Sequence, residues 1–247
     1  MALAAGSQLS KSQVDKLGAL LRSGSIDADV ITRLDCFRRE FSDAYQFVER
    51  TLTEHLGQSV TGRPSKSTIA LCEKLRRETS RLSQIQDVAG CRVVVGNLYD
   101  QDELCSNAKI LLGRVEVDDR RLKPSHGYRA VHLIVERGRY LVEVQIRTRP
   151  QHAWAEISEK IADAFGHEIK YGQGDGEAIE FLHRLSELSF ELENIDYDKF
   201  KLSRGTTRLR AVRSEEALAA RLRMKALSRR RVECVRNIRS LLKGQGN

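Results

Sequence analysis

The stretch Val142-Glu143-Val144-Gln145-Ile146-Arg147-Thr148 predicts most about the fold of this chain. Three apolar residues alternate with three polar ones, which is the period-two pattern of a strand with one buried face. The polar face presents a carboxylate, an amide and a guanidinium in a row, from Glu143, Gln145 and Arg147. On a rigid strand the carboxylate can serve as a base or metal ligand, the amide as a hydrogen-bonding group and the guanidinium as a phosphate ligand. The alternative is the solvated outer face of an edge strand.

Helices are expected on both sides of a small sheet. Helical spacing covers residues 10–56, and Ser67 or Thr68 is expected to cap a helix that continues through Arg77. The other predicted helices cover residues 99–112, 150–165, 178–194 and 214–242. Strands are predicted at 91–95, 114–118, 129–136 and 140–148, the last two forming a hairpin.

The predicted fold class is therefore α/β (α+β), with a small mixed sheet of about five strands packed with helices. We divide the chain into N-terminal packing helices over residues 1–58, a core over 59–172 and a basic helical extension over 173–247.

Composition indicates a globular, cytoplasmic protein. The 247 residues are 40% hydrophobic and 31% charged, and no apolar run approaches the roughly 20 residues that span a bilayer. The N-terminus lacks the pattern of a signal peptide. The five cysteines are odd in number and never spaced as C-x-x-C, which predicts free thiols and argues against a zinc site.

The net charge of +8 is concentrated near the C-terminus. Residues 199–243 contain fifteen Lys or Arg and three Glu, a balance of +12, so the rest of the chain carries −4. Such a helical surface attracts a phosphate backbone or an acidic protein, unless it is only the solvated face of an amphipathic helix.

Two further clusters suit phosphate chemistry. Arg63 and Lys66 stand in a loop before a helix N-terminus, with Lys74 later in that helix. Cations and free backbone N–H groups there suit a triphosphate, and the alternative is a solvated helix start. Asp87 precedes a buried strand, where it would hold Mg²⁺ or serve as a turn residue. Arg92 is either its partner or another phosphate ligand.

Another cluster surrounds Gly127, which permits a tight turn before Tyr128. Beside Arg129 and His132, the Tyr128 ring would stack on a base. The alternative is a half-buried tyrosine and a satisfied histidine on a sheet face.

The helix after the opening strand contains His152 and Glu156, four residues apart on one face. Two ligands alone do not define a metal site. Trp154, between them, is expected to pack against the sheet.

Three of these motifs, in this order and spacing, resemble the synthetase domain of the RelA/SpoT family, the (p)ppGpp synthetases. They are Ile85-Gln-Asp-Val-Ala-Gly-Cys-Arg-Val-Val-Val, His126-Gly-Tyr-Arg-Ala-Val-His and Val142-Glu-Val-Gln-Ile-Arg-Thr. The resemblance covers about Val60 to Tyr171 and implies a small synthetase with a nucleotidyltransferase-like fold. Such proteins transfer the β,γ-pyrophosphate of ATP, with Mg²⁺, to the ribose 3′-hydroxyl of GDP or GTP.

The resemblance also implies a role for each candidate residue. Asp87 and Glu143 would hold Mg²⁺, and Glu143 would also be the base that activates the 3′-hydroxyl. The residues expected to bind ATP are Arg63, Lys66, Lys74 and Arg92. Tyr128 would stack on the acceptor base, and the rest of the acceptor side would be formed by His132, Gln145, Arg147 and Lys123.

Two alternative functions remain open. Some small members of the family are toxins that pyrophosphorylate the 3′-CCA end of tRNA, and the basic segment suits that acceptor. A catalytically inactive member would bind nucleotide or RNA as a sensor, although intact Asp87 and Glu143 argue against this. Besides ATP and GDP or GTP, the partners to consider are tRNA, an antitoxin and a second copy of this chain.

Overall fold

The computed structural model, which describes residues 8–209 and 215–244, has an α/β fold with a five-stranded sheet. The strands are β1 (Val60–Arg63), β2 (Ala89–Val95), β3 (Val115–Asp119), β4 (Val131–Arg137) and β5 (Tyr140–Thr148). The helices are α1 (Lys11–Ser23), α2 (Ala28–Arg39), α3 (Ser42–Arg50), α4 (Thr68–Arg77), α5 (Leu98–Leu112), α6 (Arg149–Phe165), α7 (Gly176–Leu209) and α8 (Glu215–Gly244). The strand order is β1-β2-β5-β4-β3, and the predicted fold class is confirmed.

The chain forms two compact units that are interleaved in sequence. The first contains Met1–Val93, Leu104–Asp118 and His132–Ile146, and therefore most of the sheet with α1 to α4. The second contains Val94–Glu103, Asp119–Val131 and Arg147–Asn247, and therefore α6 to α8. The predicted boundaries at residues 58 and 172 stay a prediction.

The N-terminal helices of the first unit contact the β4–β5 hairpin. Arg139, in its two-residue turn, donates to a Glu40 carboxylate oxygen at 2.8 Å and to the Leu9 carbonyl at 2.7 Å. The Phe41 and Tyr140 rings meet edge to face, with centroids 5.0 Å apart. Gly138 supplies the positive φ, +63°, that such a turn favours.

Strand β1 was not predicted, since residues 62–65 were expected to form a loop. It pairs antiparallel with β2, and Gly62 lies opposite Cys91. A Cβ atom at Gly62 would lie 2.6 Å from the Cys91 Cα atom and from the Gly90 carbonyl oxygen. Only glycine permits this approach, so Arg63 is held at the end of a strand rather than in a free loop.

In the second unit, α7 is longer than predicted. The expected helix ended at residue 194, but α7 continues to Leu209. Ile195 is buried, and the Phe200 ring lies 4.7 Å from the Tyr99 ring, so the apolar contacts continue beyond the predicted end. Trp154, expected on the sheet, is found in an apolar cluster with α7 residues and donates its indole N–H to the Leu182 carbonyl at 2.8 Å.

The cysteines agree with the sequence analysis. All five cysteines are free thiols. Burial raises the pKa of Cys91 to about 12, so this thiol is an apolar packing group rather than a nucleophile. Among the described helices, none is both long and apolar enough to cross a membrane.

A buried polar network joins α7 to the end of β5 and the start of α6. Glu193, which is 6% exposed, accepts hydrogen bonds from the Thr148 hydroxyl and, at 3.2 Å, from the Gln151 amide. Its second carboxyl oxygen has no hydrogen-bond partner among the described residues. Burial raises the pKa of Glu193 to about 7, although the bonds from Thr148 and Gln151 act to lower it.

We expect Glu193→Gln to change how stability depends on pH. A folded-state pKa of about 7 means that proton uptake stabilises the fold below pH 4.5, and this contribution is lost as the pH rises through 7. Relative to the variant, the wild type should lose about 3 kcal/mol of unfolding free energy between acidic and alkaline pH.

Urea unfolding at a series of pH values measures this difference. Glu180→Gln, at an exposed position of the same helix, is the matched control and should show no such trend. A difference between wild type and Glu193→Gln that stays constant with pH would contradict the assignment.

Candidate active site

A cavity of about 440 Å³ in the first unit is lined by residues from β1, the loop after it, the turn before β2, β2 itself and β5. Its lining includes the predicted site residues Arg63, Lys66, Asp87, Arg92, Glu143 and Gln145. Gly90, which also lines the cavity, lies so close to β5 that a Cβ atom there would be 3.0 Å from the Glu143 carbonyl oxygen. The structure thus brings both predicted carboxylates and three predicted ATP-binding cations to one place.

Asp87 is held between two lysines. The Lys66 ammonium lies 2.5 Å from one carboxylate oxygen, and the Lys74 ammonium lies 2.9 Å from the other. Lys74 comes from α4. Ser67, one of the two residues expected to cap this helix, accepts a hydrogen bond from the Ala70 N–H. Burial alone would raise the pKa of Asp87, but the two lysines lower it below its ordinary value. Asp87 is therefore ionised at neutral pH, and Lys74 supports it rather than lining the cavity.

Glu143 is held by an imidazole and an amide. His132 Nδ1 lies 2.8 Å from one carboxylate oxygen, and the Gln145 amide donates to the other at 2.8 Å. Burial acts to raise the pKa of Glu143, yet His132 and Gln145 lower it overall, against an opposing effect from the Asp87 charge. His132, predicted on the acceptor side, is thus the buried partner of Glu143 from the neighbouring strand β4.

The donor set of this cavity suits a hard divalent cation. Mg²⁺ takes one or two carboxylates and completes its shell with water and substrate phosphates, and Asp87 and Glu143 supply ionised oxygens to one cavity. Within residues 8–209 and 215–244, no group of three or more His, Cys, Asp or Glu is placed to hold a metal without such help. His152 Nδ1 and a Glu156 carboxylate oxygen lie 3.9 Å apart, and two such ligands do not define a metal site.

Two predicted acceptor residues pair in the second unit. The Arg147 guanidinium donates to the Tyr128 hydroxyl at 3.1 and 3.3 Å, and its carbon lies 5.1 Å from the ring centroid. Tyr128 is half-buried and follows a turn in which His126 (φ 50°) and Gly127 (φ 88°) are both left-handed. Such a ring can stack on a purine. Lys123 is exposed in the same loop.

Two α7 residues that the sequence analysis missed contact this region. Ser186 donates to the Gly127 carbonyl at 2.6 Å, and Glu193 accepts from the Thr148 hydroxyl, next to Arg147. Ser186 lies 59 residues from Gly127, so local pattern does not connect them. The only sequence signal is a polar residue on a helix face that is otherwise apolar.

The arginines at 229–231 have different environments. Arg230 pairs with Glu191 at 2.9 Å and Arg231 pairs with Asp196 at 2.6 Å, both on α7, whereas Arg229 is exposed. Neutralising all three would therefore loosen the packing of α7 on α8 besides removing charge.

Comparison with known proteins supports the resemblance. Residues 62–171, which contain every predicted site residue, match the family model for the region found in RelA / SpoT proteins. The uncharacterized protein Rv1366 of Mycobacterium tuberculosis and a Mycobacterium bovis relative are 36% identical over 117 residues, 46% of this chain. The match spans only 43% of the length of these relatives.

Solved structures share the fold. Small alarmone synthetase 1 from Bacillus subtilis, bound to its product pppGpp, is 24% identical, with a TM-score of 0.53 over 70% of this chain and 96% of that chain. A GTP pyrophosphokinase family protein from Streptococcus pneumoniae is 21% identical, with a TM-score of 0.52 over 80% of this chain and 98% of that chain. Residues 62–171 of this chain therefore match the region found in RelA / SpoT proteins, and the solved structures show the same fold.

Proposed function

We propose that this protein is a pyrophosphokinase that transfers the β,γ-pyrophosphate of ATP to the ribose 3′-hydroxyl of GDP or GTP. The observation that carries the proposal is the cavity shared by Asp87 and Glu143 inside a RelA/SpoT region. Two structures of the same fold support it, one with bound pppGpp and one from the GTP pyrophosphokinase family.

In the proposed reaction, the 3′-oxygen of the acceptor forms a bond to the β-phosphorus of ATP. The bond from that phosphorus to the oxygen bridging the α- and β-phosphates breaks, AMP leaves, and the hydroxyl proton passes to Glu143. Because the pKa of Glu143 is lowered, this carboxylate is a weak base, and its main contribution is to orient the hydroxyl. Transfers of this type depend on positioning and charge neutralisation more than on covalent chemistry.

Cations of the cavity would bind the triphosphate. Arg63, Lys66 and Arg92 all line the cavity. Arg63 is exposed, and Lys66 and Arg92 are half-buried. Guanidinium groups bind phosphate oxygens in pairs, and an ammonium group binds them as a point charge. Mg²⁺ held by Asp87 and Glu143 would neutralise charge on the transferred group.

The acceptor would be recognised through its base. Tyr128, with Arg147 at its hydroxyl, offers the stacking surface, and exposed Lys123 would contact acceptor phosphates. Gln145 would contact the acceptor from the cavity wall while it holds Glu143.

A second candidate acceptor is tRNA, because α8 is strongly basic. Its exposed cations outside the ion pairs found among the described residues are Arg221, Arg223, Lys225, Arg229, Arg236, Arg239 and Lys243. A phosphate backbone would bind such a surface with a strong dependence on salt. An antitoxin, a second copy of the chain and a sensor role stay predictions.

Asp87→Asn and Glu143→Gln should each lower the rate of transfer by roughly 10²- to 10⁴-fold, because each removes a charge from the reacting site. The assay follows γ-labelled ATP offered GDP, GTP or deacylated tRNA. Asp29→Asn, at an exposed α2 carboxylate, is the control and should be unaffected. Near-normal turnover in either site variant removes that residue from the mechanism. If only tRNA becomes labelled, tRNA is the acceptor and GDP and GTP are not. If no acceptor becomes labelled, the result favours an inactive protein that acts as a sensor.

Tyr128→Leu should raise the KM for the acceptor by roughly tenfold or more, since base stacking on an aromatic ring is removed. Tyr128→Phe keeps the ring and should retain most of the affinity. Steady-state kinetics with each substrate varied in turn measure both effects. An increase in the KM for ATP alone would assign Tyr128 to the other substrate.

The triple variant Arg229→Gln, Arg236→Gln, Arg239→Gln tests the tRNA candidate. It should weaken tRNA binding and lower the salt slope by about one for each phosphate group that is no longer neutralised, while GDP turnover is unchanged. The control, with the same charge change at exposed positions of the first unit, is Lys11→Gln, Lys16→Gln, Lys109→Gln. Equal weakening by both triple variants would discard α8 as an RNA surface.

A further inference from the structure

The turn that carries Tyr128 is conformationally unusual. His126 has φ 50°, the one positive φ of a non-glycine residue in the part of the chain that the structure describes, and Gly127 follows with φ 88°. Left-handed backbone at a non-glycine residue is uncommon and persists where surrounding contacts hold it in place. The turn therefore depends on what packs around it.

Ser186 of α7 contacts the chain on both sides of Tyr128. Its hydroxyl donates to the Gly127 carbonyl at 2.6 Å and accepts from Arg129 Nε at 3.2 Å. Ser186 is 2% exposed, so no water replaces either bond at little cost. One side chain thus fixes both the residue before and the residue after the aromatic ring.

Two neighbours of Ser186 on α7 restrain Arg129 further. The Arg129 guanidinium lies 2.6 Å from a Glu187 carboxylate oxygen and 4.1 Å from the Phe190 ring centroid. Arg129 is 6% exposed, so its charge is balanced by these neighbours and its side chain has little freedom.

The turn is also closely packed at Gly127. A Cβ atom at Gly127 would lie 2.8 Å from the Trp154 ring and 3.3 Å from the Ser186 Cβ atom. A shift of the turn would therefore move it against α6 or α7, and the orientation of Tyr128 follows from the position of Ser186.

We propose that Ser186 is a positioning residue for acceptor recognition, acting through Gly127 and Arg129 on the orientation of the Tyr128 ring. The proposal rests on the proposed role of Tyr128 in binding the acceptor base. Ser186 itself touches no substrate. Its removal changes acceptor affinity because the ring is no longer held in the stacking orientation.

The test compares Ser186→Ala with Ser189→Ala, the same change at a half-buried serine one turn along α7. Ser186→Ala should raise the KM for GDP about tenfold, as for the removal of a buried hydrogen bond, with the KM for ATP and kcat within about twofold. Ser189→Ala should match the wild type. Ser186→Cys keeps the volume with a weaker donor and should be intermediate; it replaces the alanine variant if that variant fails to fold.

A second measurement separates this proposal from the proposed function. Trp154 is the single tryptophan, and its ring centroid lies 6.4 Å from that of Tyr128, so its emission reports on the turn without turnover. Ser186→Ala should shift the emission of the free protein and weaken GDP binding by the same factor as the KM. If the wild type shows no turnover, the proposed function is rejected. The emission of Trp154 and the affinity for GDP can still be compared between the wild type and Ser186→Ala. Unchanged emission and unchanged GDP affinity, or an equal rise in both KM values, would overturn the positioning role.

Discussion

Two carboxylates that line the same small cavity repel each other, and a low local dielectric strengthens that repulsion. In this protein each carboxylate is balanced by different chemistry. Asp87 is neutralised by the ammonium groups of Lys66 and Lys74, whereas Glu143 is held by hydrogen bonds from Gln145 and a contact with His132. As a result, the pKa values of both carboxyl groups are lowered, and both groups carry negative charge at neutral pH.

The second unit also contains buried charged groups that need partners. Arg129, Arg147 and Glu193 are all nearly inaccessible, and each makes specific contacts rather than remaining isolated. Burying such groups costs free energy unless they are hydrogen-bonded, so the loop before β4 and the end of β5 are held in defined positions by α7. A helix that the sequence assigns to a C-terminal extension is thus part of the scaffold around Tyr128.

Sequence reasoning succeeded where the signal was local. The alternation in 142–148 predicted β5, the strand patterns at 129–136 and 140–148 predicted a hairpin, and Ser67 was one of two residues expected to cap α4. It failed for β1. This strand has only four residues, contains Gly62 and is followed by Pro64, a pattern typical of a loop, and its partner β2 lies elsewhere in the sequence. The supports of the site were also hidden. Nothing local shows that Lys74 turns toward Asp87 or that Ser186 bonds to Gly127, since both contacts form only when the chain folds.

The pairing of Lys66 with Asp87 has a consequence for how the site would be loaded. In the free protein this ammonium already has a counter-ion, so a nucleotide triphosphate would have to exchange partners with it rather than simply fill a vacant positive pocket. Lys74, 2.9 Å from the other Asp87 oxygen, would still neutralise that carboxylate after the exchange.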